Sequence, residues 1–149
     1  MKSIGIRIVD AVVLHLSVIG SWAIIEIVRR RYGRLQRAIQ SFEATYQFTA
    51  GSAVRSLTFS KGHVETKYGP VTSPDYELIL LDPLAVARQI AINPNDIFKL
   101  MVENKIEQRG NNYFLFRYGY LLGLSRRYFE DLLTAITAPI FPKRKHNGP

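Results

Sequence analysis

The chain has 149 residues, with 20 Lys and Arg against 12 Asp and Glu, 47% hydrophobic residues, 21% charged residues and no Cys. That length fits one domain, and eight Phe and eight Tyr provide ample apolar area for a core, which excludes collagen-like and wholly disordered classes. Without Cys there is no disulfide framework, thiolate zinc site or cysteine nucleophile, and the three histidines, His15, His63 and His146, offer little for metal chemistry. No metal and no cofactor is expected.

The formal charge of +8 is uneven along the chain. Residues 1–41 carry Lys2, Arg7, Arg29, Arg30, Arg31, Arg34 and Arg37 against Asp10 and Glu26, whereas Lys143, Arg144 and Lys145 lie in the last seven residues. Between them, residues 42–142 hold ten basic and ten acidic side chains and are neutral. A globular nucleic-acid binder usually carries its basic surface on the folded domain, so no nucleic-acid partner is expected.

One excess lies beside the most hydrophobic stretch. Ala11 to Val28 reads AVVLHLSVIGSWAIIEIV, which as a helix is roughly 27 Å long, barely a bilayer crossing. Trp22 and the cluster Arg29, Arg30, Arg31, with Arg34 and Arg37 beyond, are the candidate membrane contacts. Aromatics favour the interface and cations the anionic headgroups of the cytoplasmic leaflet, so the main domain is expected to be membrane-associated and cytoplasmic. His15 and Glu26 are costly in hydrocarbon, and Ser3, Arg7, Asp10, Ser17 and Ser21 form a polar stripe that could face a partner helix, a second subunit or water. Three placements fit: a spanning anchor, an interfacial helix and a helix docked on protein. A cleaved signal peptide fits less well, because the arginines follow the apolar run. The chain thus divides into a hydrophobic helix at 1–28, a domain at 29–138 and a basic flexible tail at 139–149.

Tyr32, Leu35, Ile39 and Phe42 mark a short amphipathic helix over 30–42. Ala44 to Thr49, Val54 to Ser60 and His63 to Tyr68 read as strands joined by AGS and KG turns, and Asp75 to Leu80 as a fourth. Within them Leu57 and Phe59 share one face, and Tyr76, Leu78 and Leu80 another. Asp82 before Pro83 opens a helix with Leu84, Ala87, Ile90 and Ala91 on its apolar side; Asn93 before Pro94 opens one with Ile97, Phe98 and Met101. Lys105 to Arg109 reads as a strand, Gly110 to Asn112 as a turn, and Tyr113 to Tyr118 as a strand with Phe114 and Phe116 on a common face. Leu121, Leu124, Phe129, Leu132 and Ile136 mark a final helix, ended by Pro139 and Pro142. The expected fold is α+β, a small mostly antiparallel sheet covered on one face by helices.

SPDYELILLD at 73–82 and NPNDIFKLMVENKIEQRGN at 93–111 together resemble the lipid-binding domain of the type-two sterol carrier protein family, through Pro74, Asp75, Pro94, Phe98, Met101, Gly110 and Asn111. Glu103, Asn104 and Lys105 replace that family's Gly-Lys-Leu, and Gln108 with Arg109 replaces a more apolar pair. The resemblance covers about 43–125. It implies an apolar tunnel for a fatty-acyl, sterol or isoprenoid tail, no catalytic residue in the domain, and a kinship with members that hold polyprenyl intermediates of quinone synthesis.

From the residues themselves, Leu57, Phe59, Leu78, Leu80, Ile90, Phe98, Met101, Phe114, Phe116 and Leu121 are the candidates to converge between sheet and helices, as core or as the lining of a lipid pocket. No nucleophile-elbow, phosphate-loop, dinucleotide or zincin pattern occurs. Asp75 and Asp82 suit a strand start and a helix cap better than acid-base chemistry. Two other readings remain: a membrane-tethered interaction scaffold with a filled core, and a nucleic-acid module in which RGNNYFLFRYGY at 109–120 acts as a stacking strand.

Overall fold

A computed structural model describes residues 4–93 and 96–138. Ser3, Pro94, the prolines ending the last helix and the basic tail lie outside the described residues. In chain order the elements are α1 (Ile4–Arg31), α2 (Gly33–Gln40), β1 (Ala44–Ala50), β2 (Ala53–Ser60), β3 (His63–Tyr68), β4 (Tyr76–Leu80), α3 (Pro83–Ile92), α4 (Ile97–Val102), β5 (Ile106–Gly110) and α5 (Asn112–Thr137).

The strands form one sheet in the order β3-β2-β1-β4-β5. Only β1 and β4 run parallel; the other three pairs are antiparallel. The expected α+β class with a mostly antiparallel sheet is what forms. Strand alternation divides the two faces. Ala44, Tyr46 and Phe48 of β1 stand beside Phe59 and Leu57 of β2 and beside Tyr76 and Leu78 of β4, and all are buried. The other face is polar, with Gln47 Nε2 donating to Glu77 Oε1 at 2.9 Å.

The helices cover the apolar face. α1 lays Leu14, Val18, Ile25 and Val28 into the core cluster shared with the strands, and the Trp22 indole N–H donates to the Val64 carbonyl of β3 at 2.9 Å. Arg55 Nε of β2 donates to His15 Nδ1 at 3.2 Å, and the His15 ring lies 5.2 Å from that of Tyr68. Burial and the Arg55 guanidinium both hold the His15 imidazole below its ordinary pKa. Of the three placements open to this segment, the structure shows a helix docked on protein. α1 is nonetheless long and apolar enough, over Gly5–Arg31, to cross a membrane by length and composition.

α2 buries Leu35 and Ile39 against the same core. α3 starts as read: Pro83 is its first residue, and Asp82 Oδ1 accepts from the Ala85 N–H at 3.1 Å. α4 buries Leu100, which the spacing did not mark, and packs Ile97 and Met101 against the core as expected, while Phe98 stays 46% exposed.

One element differs in kind. Tyr113 to Tyr118 is not a strand but the first turns of α5. Asn111 acts as a helix cap rather than a turn residue, its side chain accepting from the Tyr113 N–H at 2.9 Å. The helix then buries Leu115, Tyr118, Leu121 and Ser125 at helical spacing. The aromatic stretch at 109–120 therefore presents no stacking strand, and the nucleic-acid reading loses its platform.

Gly110 ends β5 with φ +119°, and a Cβ there would lie 2.6 Å from the Asp75 carbonyl oxygen. Both strain and clash forbid a side chain. Gly110→Ala is expected to destabilise the protein by about 1–3 kcal/mol, measured as a lowered urea midpoint with an unchanged slope.

Candidate functional site

The helices do not fill all the space above the sheet. Between Phe48 of β1, Leu78 and Leu80 of β4, and the four helices α1, α3, α4 and α5 lies a cavity of about 280 Å³. Its walls are Leu14 and Val18 of α1, Val86 and Ile90 of α3, Ile97 and Phe98 of α4, and Leu115, Phe116 and Leu122 of α5. Gly119 also lines it, and a Cβ built there would meet no atom within 4 Å. The volume is nearly twice the ~150 Å³ that admits benzene in an engineered apolar cavity.

Among the described residues four lining side chains carry polar atoms: Ser17, Ser21, Tyr118 and Tyr120. Ser21 Oγ donates to the Ser17 carbonyl at 2.8 Å. Burial pushes the Tyr118 phenol up to about 12, outweighing the opposite influence of Ser21. Among the described residues no charged side chain lines this space. On the α4 side Phe98 and Phe116 meet ring to ring, with centroids 5.5 Å apart.

Of the ten candidates read from the sequence, Leu78, Leu80, Ile90, Phe98 and Phe116 line the cavity. Leu57, Phe59 and Leu121 are fully buried elsewhere in packed core. Met101 and Phe114 pack against the core without lining the cavity. The separation of Phe114 from Phe116 follows from α5 being helical, because residues two apart on a helix point to different sides. Phe114 turns instead towards Phe42 and Tyr46, and its carbonyl accepts from the Tyr46 hydroxyl at 2.7 Å. Leu14, Val18, Phe48, Val86, Ile97 and Leu115 are additional lining residues. The alternation of Ala44, Tyr46 and Phe48 marks Phe48 in the sequence; Leu14 and Val18 lay hidden in a segment whose apolarity suits a membrane equally well.

The basic cluster is not one surface. Arg29 is 13% exposed, ion-paired to Glu26 at 2.8 Å and donating to Gln36 Oε1 at 3.2 Å. Arg30 is 75% exposed, and Arg31, Arg34 and Arg37 are exposed. Trp22 is turned into the domain by its bond to Val64. The outer face of α1 carries Ile8, Val9, Val12, Leu16 and Ile27, all exposed. Of the polar stripe, Ser17 and Ser21 face the cavity.

Other chemistry-bearing residues have structural partners. Asp82 caps α3 and pairs with Lys105 at 2.9 Å. Asp75 Oδ2 accepts from the Thr45 N–H at 2.7 Å. His63 lies exposed at the start of β3. Among the described residues no group of three or more His, Cys, Asp or Glu could hold a metal.

No family model and no curated protein sequence matches this chain. Among solved structures it is similar to the UbiJ-SCP2 ubiquinone synthesis protein, at 15% identity and a TM-score of 0.56 over 72% of this chain and 88% of that one. It is also similar to the inverting sec-alkylsulfatase Pisa1 from Pseudomonas sp., at 17% identity and a TM-score of 0.50 over 58% of this chain but only 14% of the sulfatase. Palmitated SCP2L2 from Aedes aegypti matches at 15% identity and a TM-score of 0.41, over 60% of this chain and 88% of that one. The chain has the sterol-carrier-protein type-two fold, as its sequence implied.

Tyr76, like Tyr118, is pushed up to about 12 by burial, from an ordinary 10.0. Between those values the unfolded chain has released tyrosyl protons that the folded protein retains, so stability falls as pH rises. The urea midpoint is expected to drop once pH passes 10.0, with tyrosinate absorbance at these two sites rising only towards 12.

Proposed function

We propose that this protein binds a long apolar lipid noncovalently, holding or presenting it at the cytoplasmic surface of a membrane without catalysing a reaction on it. The observation that carries the reading is the cavity of about 280 Å³, lined by aliphatic and aromatic side chains with two serines and two tyrosines as the polar residues among them. Such a space stabilises hydrocarbon by about 0.8 kcal/mol per buried methylene. It offers nothing to neutralise a charge, so a charged headgroup stays outside. The shared fold supports this reading, since one protein with it is described as a ubiquinone synthesis protein. Fatty-acyl, sterol-like and isoprenoid or quinone-type tails all fit an apolar space of this kind. The same cavity weighs against a scaffold with a filled core.

Attachment to the membrane is assigned to two features that reinforce each other. The exposed apolar outer face of α1 offers area to the acyl boundary. Arg30, Arg31, Arg34 and Arg37 add contacts with anionic headgroups, each contributing about 1 kcal/mol near such a surface. Arg29 and Trp22 are occupied within the domain and take no part in this proposal.

Phe98→Asp places a carboxylate against the cavity at a position exposed enough for the fold to accept it. Uptake of a fluorescent long-chain lipid from vesicles is expected to be lost in this variant while its circular dichroism is kept; full uptake by the folded variant overturns the assignment of this cavity. Arg30, Arg31 and Arg34 changed together to Gln are expected to weaken binding to phosphatidylglycerol vesicles, more at low salt than at high salt. A salt-independent loss contradicts the electrostatic part.

A further inference from the structure

A second apolar cavity, of about 380 Å³, lies between α1, α3 and α5. It shares Ser21, Ile90 and Leu122 with the first cavity, one residue from each of those helices. Two spaces with three wall residues in common are adjoining compartments, and the second one lies on the outside.

α1 packs along both α3 and α5, whereas α3 and α5 scarcely approach each other. The gap between them is bridged by Arg126. Its Nη1 donates to the Ile92 carbonyl at the C-terminal end of α3 at 3.2 Å, and its Nε pairs with Glu130 on its own helix at 2.8 Å. A cation on a terminal helix carbonyl is favourable, but this side chain is 40% exposed, which keeps the bridge weak enough to open. Ile92, at the bridge, is 76% exposed, and Leu133, in the compartment wall beside Arg126 and Glu130, is 45% exposed. At the α4 side of the first cavity the Phe98 and Phe116 rings, 46% and 57% exposed, stand against each other.

We propose that the gap between α3 and α5 is the portal through which the apolar chain of a lipid enters and leaves the cavity, with Arg126 as its latch. The inference rests on the lipid-binding reading above and adds the route. A chain passing by Leu133 into a mostly apolar second compartment leaves less hydrocarbon in water than a route across polar surface does. The occupant of the outer compartment is therefore a single hydrocarbon or isoprenoid chain in transit.

The test is stopped-flow transfer of a pyrene-tailed long-chain alcohol, into the protein from phosphatidylcholine vesicles containing phosphatidylglycerol and back to acceptor vesicles. Ala91 lines the outer compartment and not the inner one, and it is exposed. Ala91→Trp is expected to slow both entry and release. Arg126→Ala is expected to speed both, roughly three- to tenfold for the loss of a partly exposed charged hydrogen bond. Val102→Trp, on the exposed side of α4, leaves both rates as they were. Faster release from Ala91→Trp shows lost binding volume rather than a blocked route and overturns the portal. So do unchanged rates in Ala91→Trp, or slowing by Val102→Trp. Unchanged rates in Arg126→Ala overturn the latch. No uptake by the unaltered protein refutes the carrier reading itself, and the portal with it.

Discussion

A five-stranded sheet with one apolar face must have that face covered, and everything else in this protein follows from how the covering is done. α1 supplies most of it, docking Leu14, Val18, Ile25 and Val28 onto the strands and fastening Trp22 to β3. A long helix is a rod, whereas a sheet is twisted, so the rod seals the β2–β3 end while the β4 end is left to shorter helices. α3 and α4 reach over Leu78 and Leu80 but do not close on them, and the space beneath is the cavity. Packed interiors rarely leave gaps of this size, which is why an apolar void lined by six structural elements is read as a site rather than as slack. The same helix keeps a second apolar face outside the domain, where Ile8, Val12, Leu16 and Ile27 have no cover.

Much of this was legible in the residues, because the signals were of a kind that local physics enforces. The alternation in β1, β2 and β4 located the apolar sheet face, and Asp82-Pro83 located the start of α3 to the residue. The stretch after Gly110 misled because Tyr and Phe favour strands while Asn111 suits both a turn and a helix cap. What decided it was tertiary: Leu115, Tyr118 and Leu121 fit one helical face over the sheet, which no window of six residues displays. Within the basic cluster Arg29 alone is drawn into the domain, for a related reason. Glu26 stands one turn before Arg29, and once α1 docks that pair is held together in partial burial. For the cavity itself, five of ten candidate residues line it. Sequence marks which residues are buried but not which buried residues face emptiness, and that depends on how closely three separate helices approach.

Under the proposed function, cavity, gap and exposed helix face together describe one path. A chain leaving a bilayer beneath α1 meets the aliphatic residues beside α3 and α5, passes Ser21, Ile90 and Leu122, and comes to rest over Leu78 and Leu80. Charge meets this path at the gap, which Arg126 spans, while Arg30 and Arg31 end α1 and Arg34 follows in α2. Tyr118 stays protonated through the physiological range, so the interior remains uncharged.

The most direct test of the account is native mass spectrometry of the full chain purified in mild detergent, with extraction and identification of whatever travels with it. The account predicts a hydrophobic species bound one to one. A protein that arrives empty, and that takes up no lipid when offered vesicles, contradicts it and leaves the cavity as unfilled core.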